Sequence, residues 1–334
     1  MDPLPDFELL RPRSIDEALS ARRDHPDSKL LGGGTDLVVN IRRGIVAPRT
    51  LIDMNEVGEL RRIDASDTAL DIGASVKIAD LAEDAQVAAH YPVVAQAARS
   101  IAGPTHRNMG TVGGNLCLDT RCIYYNQSEW WRSANDHCLK TTGSVCHVAP
   151  KSHGVCFATF SGDLAPALLT LEAEVDVVGP GGRRTLPLNA LYIGYARHDG
   201  SAGDGRRYLS LAAGEFVAAV RARNTPGLRS AYDKIRIRRS IEYPVAGVAV
   251  ALRRDGNILA ELRVAFTGTN PRPVLLEGTR TLCGGPLDAS VLERLDDLVR
   301  DQVMAMKTTF TPGHYRRRVA SVLAQRLVRT LFDA

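Results

Sequence analysis

The chain has 334 residues, 44% apolar and 24% charged, with a formal net charge of +4. That length supplies two or three domains with real cores, and the composition is that of a soluble globular protein without repeats or low-complexity tracts. So small a charge excludes a general nucleic-acid binder, which concentrates basic residues on one face. The basic runs at 234–239 (KIRIRR) and 316–318 are short, and the first alternates with isoleucine as a half-exposed strand does. The opening MDPLPDFELLRPRS is polar, acidic and proline-bearing, with no apolar core of a secretory signal. The longest apolar stretches, such as 245–252, are too short to span a bilayer. A cytoplasmic protein without a membrane partner is expected.

Ser14 and Glu17 form a capping box that starts a helix over 14–23. A strand through Lys29–Leu31 runs into Gly32-Gly33-Gly34-Thr35-Asp36, followed by the apolar run 37–41, and 49–54 reads as another strand. This β–loop–α–β opening predicts a small α/β subdomain. From Asp71 a strand turns into a short helix, a helix covers 93–101, and 103–116 (GPTHRNMGTVGGNL) reads as a long loop. Ser161-Gly162-Asp163 precedes an apolar helix over 164–171, then an alternating strand over 174–178 and a turn at Pro180-Gly181-Gly182. A boundary near Asn224-Thr225-Pro226-Gly227 divides 1–223 from 224–334. Beyond it come a strand at 232–238, a hairpin turning at Asp255-Gly256-Asn257 and two helices. In the last helix Val319, Leu323, Leu327 and Leu331 recur every four residues, with Val322 and Val328 beside them. That apolar stripe docks on its own domain or on a partner subunit.

Two glycine loops stand out. Glycines let backbone approach a ligand closely, and consecutive backbone N–H groups form anion-binding nests. Gly32 to Asp36 follows a strand, the context for holding a pyrophosphate, with the Thr35 hydroxyl as a further donor. Thr111-Val112-Gly113-Gly114-Asn115 is the second. Neither matches the Rossmann fingerprint or the Walker loop, and each alone is equally a tight turn. A dinucleotide with a pyrophosphate and a ribityl chain would use both.

Five of the six cysteines lie between Cys117 and Cys156, spaced C-x4-C-x15-C-x7-C-x9-C, directly after the second glycine loop. Disulfides, zinc and an iron–sulfur cluster are the uses open to them. Structural disulfides are rare in the cytoplasm. Structural zinc usually pairs its ligands in two C-x2-4-C knuckles; here Cys117 and Cys122 make a single C-x4-C pair with no second one, although His137, His147 and His153 offer nitrogens. An iron–sulfur cluster takes four thiolates around an inorganic core and can gather them from separate loops. Four positions for five thiols leave one spare. Cys117, nearest the glycine run, is assigned to that scaffold, and Cys122, Cys138, Cys146 and Cys156 form the candidate ligand set. Cys283 reads as a semi-buried thiol. Tyr124, Tyr125, Trp130 and Trp131 in the same stretch predict a loop that folds around something and buries it. No Ser/His/Asp or paired-carboxylate constellation stands out, so no catalytic residue is assigned.

Several segments recur together, in order: LGGGTDL at 31–37, IGASVKIADL at 72–81, AGPTHRNMGTVGGNL at 102–116, SGDLAPALLTLEA at 161–173, YDKIRIRRSIEYPVAGVAVAL at 232–252 and HYRRRVASVLAQRLV at 314–328. Across essentially the whole chain they resemble the FAD-binding medium subunit of the xanthine oxidase family of molybdenum hydroxylases. Ordinary members pass from GGNL to the G-D-x-x-P-A-L helix by a short connection. Here a cysteine-rich insertion at about 118–158 intervenes. That insertion, DTRCIYYNQSEWWRS above all, resembles the one in the β subunit of 4-hydroxybenzoyl-CoA reductase, which binds a [4Fe-4S] cluster beside the flavin.

The resemblance implies an α+β fold: a two-part FAD-binding domain of the vanillyl-alcohol-oxidase (PCMH) type, then a C-terminal α+β domain of the CO dehydrogenase flavoprotein type. It implies FAD on Leu31, Gly32, Gly33, Gly34, Thr35, Asp36, Thr105, Asn108, Thr111, Gly114, Asn115, Asp163 and Lys234, with the pyrophosphate on the first glycine loop. It implies an oxidoreductase subunit partnered by a large molybdopterin subunit and a small subunit with two [2Fe-2S] clusters, in a dimer of heterotrimers. Ferredoxin is the implied electron donor, and the implied reaction is reductive dehydroxylation of 4-hydroxybenzoyl-CoA to benzoyl-CoA. The competing expectations are the FAD subunit of an oxidative hydroxylase of xanthine or CO dehydrogenase type with an extra cluster, and a zinc-stabilised scaffold.

Overall fold

The computed structural model describes residues 4–152, 154–193, 207–304 and 306–334. The first layer is a parallel sheet in which Thr50–Asp53 lies between Glu8–Leu10 and Lys29–Leu31. Its central strand is the apolar one, and Leu51 and Ile52 are fully buried. The helix Ile15–Asp24 begins where Ser14 accepts from the Glu17 N–H at 3.1 Å. The Glu17 carboxylate reaches back to the Arg13 N–H at 2.7 Å, one residue upstream of a standard capping box.

The second layer is a five-stranded sheet, ordered Ile63–Ala65, Ala69–Gly73, Phe216–Arg223, Glu174–Gly179 and Gly182–Pro187. The helices Pro92–Ser100 and Leu164–Thr170 bury alanine, valine and leucine in the core beside it. The third is a four-stranded sheet, ordered Val274–Leu275, Ile258–Thr267, Ala246–Asp255 and Arg229–Ile235. The first seven residues of Ala246–Asp255 are buried, as a central strand covered on both faces requires. The helices Ala289–Gln302 and Gly313–Asp333 complete that core.

The structure departs from the expectations in three places. Residues 103–116 are not one loop: Pro104–Arg107 and Val112–Leu116 are short helices. Pro104 stands at the first helical position, where its missing N–H costs nothing, and Thr111 caps the second helix by accepting from the Gly114 N–H at 3.2 Å. In the last helix Val322 is 47% exposed, while Ala320 and Ala324 are buried with Leu323 and Val328. The contact face is rotated toward the small residues, which let the helix approach its own sheet closely, so the stripe docks within the domain. Finally, Trp130 is 79% exposed and buries nothing. Trp131 instead lies against Tyr124, with ring centres 6.2 Å apart.

Candidate functional site

The two glycine loops meet face to face. Gly34 has φ +71°, a left-handed turn that favours glycine. Gly33 packs so closely on the Met109 carbonyl and Gly110 N–H that a Cβ there would overlap both. Asn55 ties the first loop down by donating to the Gly32 carbonyl at 2.7 Å. Lys77 bonds the Asn55 side chain and, at 3.2 Å, the Met109 carbonyl. The absence of a side chain at Gly33 therefore serves loop–loop contact.

Between these loops and the five-stranded sheet lies a cavity of about 740 Å³, within the usual range for cofactor sites. Gly32, Gly33, Gly34, Thr35 and Asp36 border it, as do Thr111, Gly114, Asn115 and Asp163. Leu31, Thr105, Asn108 and Lys234 are not among its bordering residues. Lys234 works one step back. Its ammonium sits 3.1 Å from Asp163 Oδ2, and the Tyr232 hydroxyl donates to the other oxygen at 2.5 Å. Burial and the facing Asp163 carboxylate raise the Tyr232 phenol well above its ordinary value, so it remains a donor. Asn115 accepts from the Leu164 N–H at 3.1 Å, which joins the second glycine loop to the start of the helix after Asp163.

Arg121, from the cysteine-rich segment, also borders the cavity. Its Nη2 lies 3.3 Å from Asp36, its guanidinium stacks 5.1 Å from the Tyr125 ring centre, and its Nη1 is buried without a protein partner. A buried guanidinium nitrogen without a protein partner at the wall of a large cavity fits an acceptor-bearing cofactor such as a flavin dinucleotide. Cys117 borders the same cavity, and burial pushes its thiol up to about 12. Tyr208 and Tyr243 complete the far wall. They carry no local sequence signal and arrive through tertiary folding, whereas Arg121 was legible as a basic residue beside Cys122 but not as a cavity residue.

Cys122, Cys138, Cys146 and Cys156 gather in one buried cluster and border a second, small cavity. All six cysteines are free thiols. Among the described residues, no three or more His, Cys, Asp or Glu side chains are arranged to hold a metal ion. His153 lies outside the described residues. His147 borders the small cavity, but its Nε2 is 2.6 Å from the His137 carbonyl oxygen. Backbone N–H groups point at the sulfurs: Tyr125 N to Cys122 at 3.4 Å and Ala158 N to Cys156 at 3.5 Å. Burial raises the Cys122 thiol to about 11 against those donors. Cys146 and Cys156 hydrogen-bond to each other and titrate as a pair, with Cys146 lowered and Cys156 raised by that shared proton. The chemistry of the set, four buried sulfurs with backbone donors aimed at Cys122, Cys146 and Cys156 and the Thr141 hydroxyl beside Cys138, fits thiolate ligation.

The segment is fastened at three points. Arg132, buried, donates to the carbonyls of Gln127, Arg43 and Gly44, the last at 2.9 Å. Ile123 N bonds the Thr308 carbonyl at 2.9 Å. The Thr308 hydroxyl links Thr159, at 2.7 Å, to the fully buried Arg316, at 2.6 Å.

A glycine-walled cavity between a small parallel sheet and a larger antiparallel one has the size and backbone lining that suit a dinucleotide. Residues 5–222 match the FAD-binding domain in molybdopterin dehydrogenase, and 230–331 match the CO dehydrogenase flavoprotein C-terminal domain. The aldehyde oxidoreductase FAD-binding subunit PaoB of Escherichia coli K12 is 32% identical over 316 residues, 92% of this chain and 94% of that protein. The carbon monoxide dehydrogenase medium chain of Hydrogenophaga pseudoflava is 29% identical over 281 residues, 83% of this chain and 79% of that one. Among solved structures, a cyanide-inactivated Cu,Mo-CO dehydrogenase chain superposes with TM-score 0.78 at 24% identity, covering 100% of this chain and 99% of its own. The chain therefore belongs to the FAD-binding medium subunits of the xanthine oxidase family of molybdenum hydroxylases, with FAD as cofactor and the two-domain α+β fold of that family. No helix among the described residues is long and apolar enough to cross a membrane.

Proposed function

We propose that this chain is the flavin and iron–sulfur electron-transfer subunit of a molybdenum enzyme that reductively dehydroxylates 4-hydroxybenzoyl-CoA. The observation that carries the proposal is the convergence of Cys122, Cys138, Cys146 and Cys156 on one buried cavity beside the FAD cavity. In it these four thiolates hold a [4Fe-4S] cluster, and a cluster keeps its ligands farther apart than a single ion does. FAD lies between the glycine loops, its pyrophosphate on Gly32 to Asp36. Asp163 is held by Lys234 and Tyr232 to face its hydroxyls. Residues 1–223 form the FAD domain and 224–334 the C-terminal domain. The chain works in the cytoplasm within a complex that contains a large molybdopterin subunit and a small [2Fe-2S] subunit. Ferredoxin supplies single electrons. The flavin and cluster supply the redox chemistry; the protein binds, orients and tunes them.

A second reading is favoured by the names of the relatives, which are carbon monoxide, xanthine and aldehyde oxidoreductases. In it the same subunit serves an oxidative hydroxylase and the cluster is an addition. Metal and flavin analysis of the purified chain tests the cofactor content: about four iron atoms and one FAD are expected, with little zinc. Serine at Cys138 should lose or convert the cluster, and serine at Cys117 should keep it. Iron-free protein, or iron lost with Cys117→Ser alone, refutes the ligand set. Turnover of 4-hydroxybenzoyl-CoA by the assembled enzyme decides between the two reactions.

A further inference from the structure

The flavin cavity and the thiol cavity share a wall, and two side chains border both: Tyr125 and Lys140. Lys140 comes from the hairpin-like loop two residues past Cys138. Its side chain is only 5% exposed. The ammonium sits 2.6 Å from Asp119 Oδ1 and 2.8 Å from the Thr120 carbonyl, and also bonds the Thr120 hydroxyl. All three N–H donors are thereby used, so the ammonium is fixed in place. It lies 5.2 Å from the ring centre of Tyr125 and 5.2 Å from that of Tyr208. Arg121 stacks on Tyr125 as well, but its charge is paired with Asp36 on the flavin side.

The charges around Lys140 are not balanced evenly. Its counter-ion Asp119, 21% exposed, borders the flavin cavity but not the thiol cavity, so toward the four sulfurs the cation stands without its carboxylate. The cation faces both cavities from within the partition, where screening is weakest.

We propose that Lys140 is a shared electrostatic control on both redox centres, raising the reduction potentials of the flavin and of the thiolate-bound cluster together. The proposal rests on the assignment of a cluster to the four cysteines. A fixed positive charge stabilises whichever state of a neighbouring centre is more negative, and each reduction adds an electron. The cluster gains one negative charge per electron. Flavin reduction takes up protons along with its two electrons, so its net charge changes less and its potential moves less. One cation common to both centres raises both potentials, the cluster's by more, and so sets the driving force of transfer between them. Lys140 is thus a positioning and tuning residue, remote from the substrate chemistry.

The test is a redox titration of the purified protein, with electron paramagnetic resonance for the cluster and visible bleaching for FAD. In Lys140→Met both potentials should fall, the cluster's by at least a tenfold change in its oxidised-to-reduced equilibrium, which is about 59 mV for a one-electron couple. Lys140→Arg should hold both near the wild-type values. Asp119→Asn, which removes the opposing charge and keeps the shape, should move both upward. Opposite signs in Lys140→Met and Asp119→Asn distinguish a charge effect from a loosened loop, which would shift both variants alike. Unchanged potentials in Lys140→Met, or shifts of the same sign in the two variants, overturn the proposal. If Lys140→Met loses FAD or iron, Asp119→Asn decides: a rise supports the proposal, and no change or a fall overturns it. Iron-free wild-type protein would refute the cluster assignment and the two-centre form of the proposal. The flavin shift in Lys140→Met would then test the effect on FAD by itself.

Discussion

Lys234→Met is the sharpest probe of how the C-terminal domain supports the flavin site. Lys234 and Asp163 are 2% and 6% exposed and 3.1 Å apart, so the pair is dry. Removing one partner of such a pair leaves an uncompensated buried charge, which costs about 3–5 kcal/mol. The Tyr232 hydroxyl, 2.5 Å from the other carboxylate oxygen, still donates to Asp163. The loss should therefore sit at the lower end, about 3 kcal/mol. At roughly 2–4 °C per kcal/mol for a domain of this size class, the melting temperature should fall by about 6–12 °C. Lys234→Met combined with Asp163→Asn removes both charges and should recover most of that loss, because a neutral amide is far cheaper to bury. Thermal and urea unfolding of the wild type, both singles and the double, with and without added FAD, give the coupling directly. Asp163 borders the cavity and Lys234 does not, so the double variant should regain stability without regaining full FAD affinity. A loss below about 1 kcal/mol in Lys234→Met, the range of a surface pair, would refute this account of the site's support.

Gly33→Val should yield folded protein with most of its FAD lost, read from the flavin-to-protein absorbance ratio, because any side chain there collides with the Met109 carbonyl. Among protein atoms Gly114→Ala meets only the Thr111 hydroxyl, at 3.0 Å, and should cost less thermal stability than Gly33→Val in the flavin-free protein; equal losses in the two variants would contradict the packing described. The Arg184 guanidinium, bonded to both Glu215 oxygens at 2.8 Å, holds the Glu215 carboxyl down from 4.5 to about 2. A depressed carboxylate contributes stability that is full above its unfolded value and is lost as pH falls from about 4.5 toward about 2. Glu215→Gln should flatten the stability profile in that acid window and leave its shape above pH 5 unchanged, as unfolding at stepped pH would reveal.

Local signals determined most of the elements. Ser14 caps the helix that its spacing to Glu17 announces, through a side chain that accepts from a backbone N–H, and the apolar run at 245–252 becomes a buried central strand. Those effects act over a few residues, so a linear chain displays them. The crowding of thiols between Cys117 and Cys156 was equally visible, since composition alone reveals it. Tertiary structure decided what no short window holds. It set Gly33 against Met109, 76 positions away in the chain, and made Lys234 a partner of Asp163 across a domain boundary. It turned Trp130 outward. It also brought Tyr125 and Lys140 between two cavities whose walls come from distant segments. A wall shared by two sites is a property of distances between residues far apart in sequence, and only the packed fold fixes those distances.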